Sequence, residues 1–468
     1  MRELSYGTCR LFAMCNKIEK ERLQDTPVSP TPDTTLLPIS TSNYTSLHQS
    51  SGFPYQMTSY MQNSFVISLL ATALLTSNGA AYTTPNRRDV LSQSAAVAAS
   101  SLATTAVSST IAKPVFADEL ATTSTDSKVA VPTVKMGSLD VSRTIQGYWQ
   151  LAGGHGKYKP EDAIANMRAH YKAGITTLDT ADIYGPSEKI MGQFMAEELA
   201  KGTKPPPVPN TKFCCFRFLD EIDKNEVKSR ILSQIDRLQV PSLSLVQYFW
   251  YNYDVKKYVD VALMLTELKE EGLIQEIGAT NFDLRRLKEM KDAGVPIVSH
   301  QVQMSALDRR PVQSGMADWC LENDVKLIAF GTVGSGILSE KYLGAAAPTQ
   351  QQQNTSSMRM YSGTASRFGD WSLVQELLRT MSDVAENVRV TGRCPNANIS
   401  NIAQRYVLDA TPAVGSVLIG VRNQNHIEEN VRTHEFTLTS SEIGAINDVV
   451  AKRKGPKGDV WDIERGYA

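Results

Sequence analysis

The chain has 468 residues, 42% of them hydrophobic, with a formal net charge of -1; that is enough apolar material for one large core or two ordinary ones. There is no basic excess of the kind that points to nucleic acid. Six cysteines, Cys9, Cys15, Cys214, Cys215, Cys320 and Cys394, form no CxxC pair and have no ligand histidines nearby, which argues against a zinc site or a disulfide framework. They read as free thiols, and adjacent Cys214 and Cys215 on a strand would face opposite ways.

The first 128 residues differ in texture from the rest. Met1 to about Tyr60 is rich in Ser, Thr and Pro without apolar periodicity, the composition of an unfolded segment. Phe65 to Leu75 is an apolar run of eleven residues, short for about 30 Å of hydrocarbon but suited to a signal-peptide core; such a core belongs near an initiator, which points to Met57 or Met61. Small residues follow at Gly79-Ala80-Ala81. Arg87-Arg88 then opens a weakly apolar stretch ending at Val115-Phe116-Ala117, in the pattern of a twin-arginine export signal with its cleavage site. The tandem of a signal-like 61–81 and a twin-arginine-like 87–117 resembles the layered presequences of complex plastids, with Tyr82 where their motif usually has Phe. Residues 1–128 are therefore expected to be an unstructured targeting region. The destination implied is the plastid, stroma or thylakoid lumen, or the cytoplasm if the presequence is not functional.

From about Val129 onward, short β-branched or apolar runs alternate with amphipathic windows, the mark of repeated βα units. Val227, Ile231 and Ile235 share one helical face, as do Val261, Met264, Leu265 and Leu268, the latter closed by Gly272; Gly174 and Gly294 end other helices. Strands are expected at Thr144–Leu151, Thr176–Asp179, Asn210–Phe216, Leu245–Trp250, Ile274–Asn281, Ile297–Met304, Leu327–Thr332 and Ser416–Arg422. Eight such strands with helices between them predict an α/β fold, a closed (β/α)8 TIM barrel over 129–468. No GxGxxG opens a helix after a strand, which argues against a Rossmann domain.

In this fold the active site gathers at the C-terminal ends of the strands. Asp179 ends the second, Lys212 lies on the third, Thr280 and Asn281 end the fifth, Gln301 sits on the sixth and Arg422 ends the eighth. Asp179-Thr180-Ala181-Asp182-Ile183-Tyr184 together with Lys212 suggests a proton-donating tyrosine. A free phenol has a pKa of about 10, so it serves as an acid near neutrality when a cation lies beside it and a carboxylate orients that cation. His300 directly precedes Gln301 and would point to the opposite strand face, as a structural histidine.

The span from Val129 to the C-terminus resembles the aldo-keto reductases. The resemblance rests on Gly147-Tyr148-Trp149-Gln150, on Gly174 to Gly185 with its Asp-Tyr signature, on Ile277-Gly278-Ala279-Thr280-Asn281-Phe282, and on Gln301-Val302-Gln303. Further matches are Gly336 to Tyr342, and Gly420-Val421-Arg422 with Glu429-Asn430. It implies reduction of an aldehyde or ketone by hydride from NADPH, NADH being the alternative, with no metal and with a small-molecule carbonyl compound as partner. By the same resemblance Tyr184 matches the proton donor, Lys212 the residue lowering its pKa and Asp179 the lysine's carboxylate. Thr280, Asn281 and Gln301 match the side chains that bind the nicotinamide carboxamide, and Phe330 the aromatic stacked on that ring. Ser339 and Lys341 fit the pyrophosphate loop, Asn430 the adenine contact, and Arg422 or Arg432 the 2'-phosphate, with His426 where many members have arginine.

One departure stands out: in Leu245-Val246-Gln247-Tyr248-Phe249-Trp250, Phe249 occupies the place of the family's fourth catalytic residue, a histidine. Phenylalanine neither donates a hydrogen bond nor relays a proton, and losing one oxygen-directed donor costs about 10²- to 10³-fold in turnover. This leaves a second reading, a catalytically weak nicotinamide-binding sensor. Trp149, Phe249, Trp250 and Trp461 are candidate substrate walls. Gly344–Asp370, with its run of glutamines, and Arg389–Ala397 read as long loops.

Overall fold

The computed structural model describes residues 130–467; the expected presequence lies outside them. A hairpin of β1 (Thr133–Met136) and β2 (Leu139–Ser142) leads into eight parallel strands: β3 (Thr144–Gly147), β4 (Thr177–Asp179), β5 (Val208–Cys215), β6 (Leu243–Trp250), β7 (Ile274–Thr280), β8 (Ile297–Gln303), β9 (Lys326–Phe330) and β10 (Val414–Gly420). Each pairs with the next, and β10 closes on β3, so this sheet has no unpaired edge. The fold is a (β/α)8 TIM barrel. Every one of the eight expected segments holds one strand, with shifted ends. The first is the most changed: β3 stops at Gly147 because Trp149–Ala152 coils into a 3-10 turn.

Side chains alternate between the barrel interior and the surrounding helices. At the N-terminal end the interior is filled by Ile145, Leu245 and Ile328, plugged from below by Met136, Leu139 and Val141 of the hairpin. The outward set, including Val246, Tyr248 and Trp250 of β6, joins the larger core under the helices. The expected windows form helices Lys224–Leu238 and Tyr258–Glu270. Gly174, Gly272 and Gly294 adopt φ of +92°, +80° and +95° where those turns leave their helices, the left-handed region that glycine enters without steric penalty.

One expected loop is not a loop. Within Gly344–Asp370 the chain forms a helix, Ser356–Phe368. The Thr355 hydroxyl accepts from the Met358 N–H at 3.1 Å, and Met358, Tyr361, Ala365 and Phe368 give the helix a buried face. Gly331, after β9, has φ +75°, and a Cβ there would lie 2.4 Å from the Tyr361 ring. Glycine at that position lets this helix close over the strand ends. A further helix, Trp371–Val390, absorbs the start of the second expected loop.

Candidate active site

A cavity of about 780 Å³ opens at the C-terminal ends of the strands. Its floor is polar and built from inward-facing positions. Lys212 on β5 is buried against Asp179 at the end of β4, donating to Asp179 Oδ1 and, at 2.8 Å, to the Thr180 carbonyl. Asp179 Oδ2 accepts from Gln247 Nε2 at 2.6 Å and Gln301 Nε2 at 2.9 Å, and Gln301 Nε2 also reaches Gln247 Oε1 at 2.8 Å. The carboxylate is thus satisfied from three strands, as a buried charge requires. A buried pair of this kind specifies geometry more than it stabilises.

Tyr184, in the turn after β4, lies against this floor, with Lys212 Nζ 4.9 Å from its ring centroid. From the sequence, the cation is expected to bring the phenol's pKa down. The net direction is the reverse: burial pushes it up to about 12, the Lys212 ammonium pulls down against that, and Asp179 adds to the rise. Desolvation disfavours the phenolate more than one already neutralised cation favours it. Lys212 itself is held above the ordinary lysine range: burial opposes its charge, but the carboxylate of Asp179 outweighs the loss of water.

The other wall is aromatic. Phe249 faces inward from β6, with Phe216 at 5.0 Å and Trp461 edge-on at 5.1 Å between ring centroids. Trp149 lines the same cavity. Trp250 does not: one residue further along β6, it points outward into the core and donates its indole N–H to the carbonyls of Asn252 and Val255. Its assignment as a substrate wall is corrected by the period of two in a strand.

The expected cofactor set divides in the same manner. Thr280, Asn281, Gln301, Phe330, Ser339, Lys341 and Asn430 all line the large cavity. Arg422 and Arg432 do not; Arg422, with the buried Val421 before it, lines a separate cleft of about 360 Å³ beside Gly156 and Lys157. His426, by contrast, lies on the large cavity and contacts Glu429 at 2.6 Å. His300 is structural: it accepts the Phe282 N–H at 3.1 Å, and burial drives its pKa down to about 3.

Sequence reasoning passed over several lining residues. Gln247 sits in the very run that carries Phe249, two positions before it, so strand alternation alone puts it inside. Met360 and Tyr361 were hidden in the segment read as a loop. Cys214 also lines the cavity, while Cys215 faces the core, as alternation on β5 required; burial lifts the Cys214 thiol well above its ordinary value.

Residues 144–451 match the model of the aldo/keto reductase family. Among relatives, the chloroplastic pyridoxal reductase of Arabidopsis thaliana is 26% identical over 348 residues, covering 70% of this chain and 88% of that protein. L-glyceraldehyde 3-phosphate reductase of Escherichia coli (strain K12) is 23% identical over 318 residues, covering 65% and 88%. Among solved structures, the glycerol dehydrogenase AKR11B4 from Gluconobacter oxydans superposes with a TM-score of 0.58 at 18% identity, covering 71% of this chain and 98% of that one. The holo form of aldo-keto reductase AKR11C1 from Bacillus halodurans gives 0.53 at 23%, covering 68% and 96%. At those identities the two structures speak for the fold alone.

Proposed function

The chain belongs to the aldo/keto reductase family and is an NAD(P)H-dependent oxidoreductase; on that premise we propose that it reduces an aldehyde or ketone to the alcohol with NADPH, Tyr184 giving the proton. The observation that carries this reading is the buried Asp179–Lys212 pair beneath the Tyr184 ring on the floor of the large cavity. A binding module has no physical need of a phenol, an ammonium and a carboxylate so arranged.

The cavity suits a nicotinamide cofactor. Asn281 Oδ1 and Gln404 Oε1 are buried on its wall without a hydrogen-bond partner, an arrangement that is costly unless a ligand donor meets them. Asn281 and Gln301 would hold a carboxamide, Phe330 a ring face, Ser339 and Lys341 a diphosphate, and Asn430 with Gln404 an adenine. When bound, the cofactor supplies the hydride that reduces the carbonyl carbon. Tyr184 holds its proton at neutral pH and gives it to the carbonyl oxygen as negative charge develops there. Lys212, fixed by Asp179, stabilises the phenolate that results, until solvent returns the proton. Phe216, Phe249, Trp149 and Trp461 exclude water and present an apolar face to the substrate.

NADPH is preferred over NADH on the family likeness, with His426 on the cavity wall and the Arg422 guanidinium on the neighbouring cleft. Phe249 supports the second reading, a cofactor-binding protein with weak turnover, since its ring brings no donor to the aromatic wall. Residues 1–128 are read as a targeting presequence to the plastid, a reading supported by their twin-signal pattern and by the chloroplastic relative. A mature amino terminus near Asp118 would favour the lumen, and one near Ala80 would oppose it. The function is tested by following NADPH oxidation with a panel of aldehydes and ketones, for the full chain and for Tyr184→Phe. Turnover that Tyr184→Phe abolishes is the expected result; tight NADPH binding with no turnover in either protein would sink the reductase reading.

A further inference from the structure

The cavity's aromatic wall is held from outside the barrel. After the last long helix (Ser440–Val450), the chain returns across the strand ends and finishes in a single helical turn, Asp462–Arg465. Two side chains of that turn anchor it. Glu464 takes both terminal nitrogens of Arg310, at 2.8 and 3.0 Å, and Arg310 in turn grips the buried Asp308. Arg465 makes no ion pair among the described residues. Its Nη2 donates to the Trp250 carbonyl at 2.8 Å, its Nε to the Tyr251 carbonyl at 3.0 Å and its Nη1 to the Asn281 carbonyl at 2.8 Å. The guanidinium also lies 4.3 Å from the Tyr253 ring centroid, 5.4 Å from that of Trp461 and 5.5 Å from that of Phe249. One planar cation therefore ties the ends of β6 and β7 together, from the side where Phe249 and Trp461 meet.

The Asn281 carbonyl is the informative contact. Asn281 has φ +57°, a left-handed conformation that a non-glycine residue keeps only when its surroundings over-determine it. Two of the restraints come from the barrel: the Asn281 N–H donates to the Gln301 carbonyl at 3.0 Å, and the next N–H, that of Phe282, donates to His300 Nε2 at 3.1 Å. The third restraint, on the carbonyl, comes among the described residues from Arg465 alone. The side chain this backbone carries is the one whose Oδ1 is buried on the cavity wall without a partner.

We infer that Arg465 is a positioning residue of the reductase site, which through the Asn281 carbonyl holds the Asn281 amide in its cofactor-binding orientation. This rests on the reading of Asn281 as a cofactor ligand. Glu464 secures the tail but touches neither strand end, which gives the matched control.

The experiment compares the full chain with Arg465→Met, Arg465→Lys and Glu464→Gln. Hydrogen–deuterium exchange of the peptide spanning Thr280–Asp283 is measured without cofactor, NADPH affinity by quenching of tryptophan fluorescence, and kcat and KM by NADPH oxidation. Arg465→Met is expected to speed exchange at Asn281 and Phe282 and to raise the NADPH Kd by about tenfold or more, the size of one charge-assisted hydrogen bond. Arg465→Lys should recover part of both, and Glu464→Gln should leave both near the parent value even if it lowers Tm. Unchanged exchange in both Arg465 variants, or changes in Glu464→Gln equal to those in Arg465→Met, would overturn the positioning role. If the parent chain binds no NADPH, the cofactor reading fails separately, and the exchange data still decide whether Arg465 holds Asn281.

Discussion

The floor and the aromatic wall of the large cavity are built on opposite principles. On the floor, Asp179, Lys212, Gln247 and Gln301 come from four barrel strands and satisfy one another within the barrel itself. The wall mixes Phe249 of β6 and Phe216 after β5 with Trp461, which arrives from a tail that returns after the barrel has closed. The first is a charge network whose geometry is fixed by strand register. The second is a set of contact surfaces whose position depends on a distant segment and its anchors. On the proposed function, the part that places a proton is rigid by construction, and the part that fits a substrate is attached separately.

If that division is real, damage to the floor should be the most severe. Lys212→Met removes the cation that faces Tyr184 and Asp179 on the floor and leaves a buried carboxylate without its charged partner. Carbonyl reduction by the full chain should fall by about 10²- to 10⁴-fold, the range of a lost acid–base partner. Stability should drop by about 3–5 kcal/mol, the penalty for orphaning one member of a buried pair. Lys212→Met that keeps its turnover would end the relay argument. Tyr184→Phe should lose activity to a similar extent with far less effect on denaturant stability, since it removes a hydroxyl and no charge.

The wall should respond in the other direction. Phe249→His places a donor at the position where the family resemblance sets a histidine, and turnover should rise by about 10- to 100-fold, short of the full 10²- to 10³-fold that one well-placed oxygen-directed donor contributes. A gain confined to small polar aldehydes, with loss for bulky apolar ones, would sharpen the comparison, because it would show the wall tuned for contact at the expense of rate. No gain with any carbonyl compound would count against the position as the place of the missing donor.

The two regions also differ in how far they were legible from sequence. Asp179 ends a strand, and Lys212 and Gln301 lie on strands, that apolar runs and turn glycines delimit, so the barrel and its floor follow from local pattern. Gln247 required only the step of counting by two from Phe249, and the same step separates Phe249 from Trp250. The helix Ser356–Phe368 was obscured by the run of glutamines before it, although Thr355 as N-cap and the spacing of Met358, Tyr361, Ala365 and Phe368 were present in the sequence. Trp461 was legible as an aromatic residue and a candidate wall. Its contact with Phe249, more than 200 positions earlier, depends on tertiary closure that no local window encodes. The presence of Arg422 just after β10 was legible; that it lines another cleft, together with Val421, was not.

A smaller effect concerns the support behind the wall. His300 is fully buried, accepts the Phe282 N–H and has its pKa depressed to about 3, against about 6.5 when unfolded. The sign follows: above about pH 6.5 both states leave the ring neutral and its contribution is intact, whereas on acidification the unfolded chain takes up a proton that the folded chain refuses. Stability should therefore be lost progressively from about pH 6.5 toward pH 3, by on the order of a few kcal/mol from this group. His300→Gln, which keeps an acceptor but does not titrate, should flatten part of that slope in urea titrations across the range. An identical slope in the variant would assign the acid sensitivity elsewhere, His434, depressed to about 4, being the next group to replace.

The smallest expected change is in the alkaline limb of the rate profile, where floor and cofactor meet. In the protein alone, burial outweighs Lys212 and carries the Tyr184 phenol up to about 12, so the proposed proton donor stays loaded far above neutrality. The kcat/KM of reduction, which reports ionisations of the free enzyme, should then show no fall attributable to Tyr184 below about pH 10, the ordinary tyrosine value. The profile of kcat reports the loaded enzyme. A limb in kcat well below 10, absent from kcat/KM and lost in Lys212→Met, would mean that binding shifts the balance from desolvation to the cation. The floor would then be a device completed by its ligand, and in that respect closer in kind to the wall.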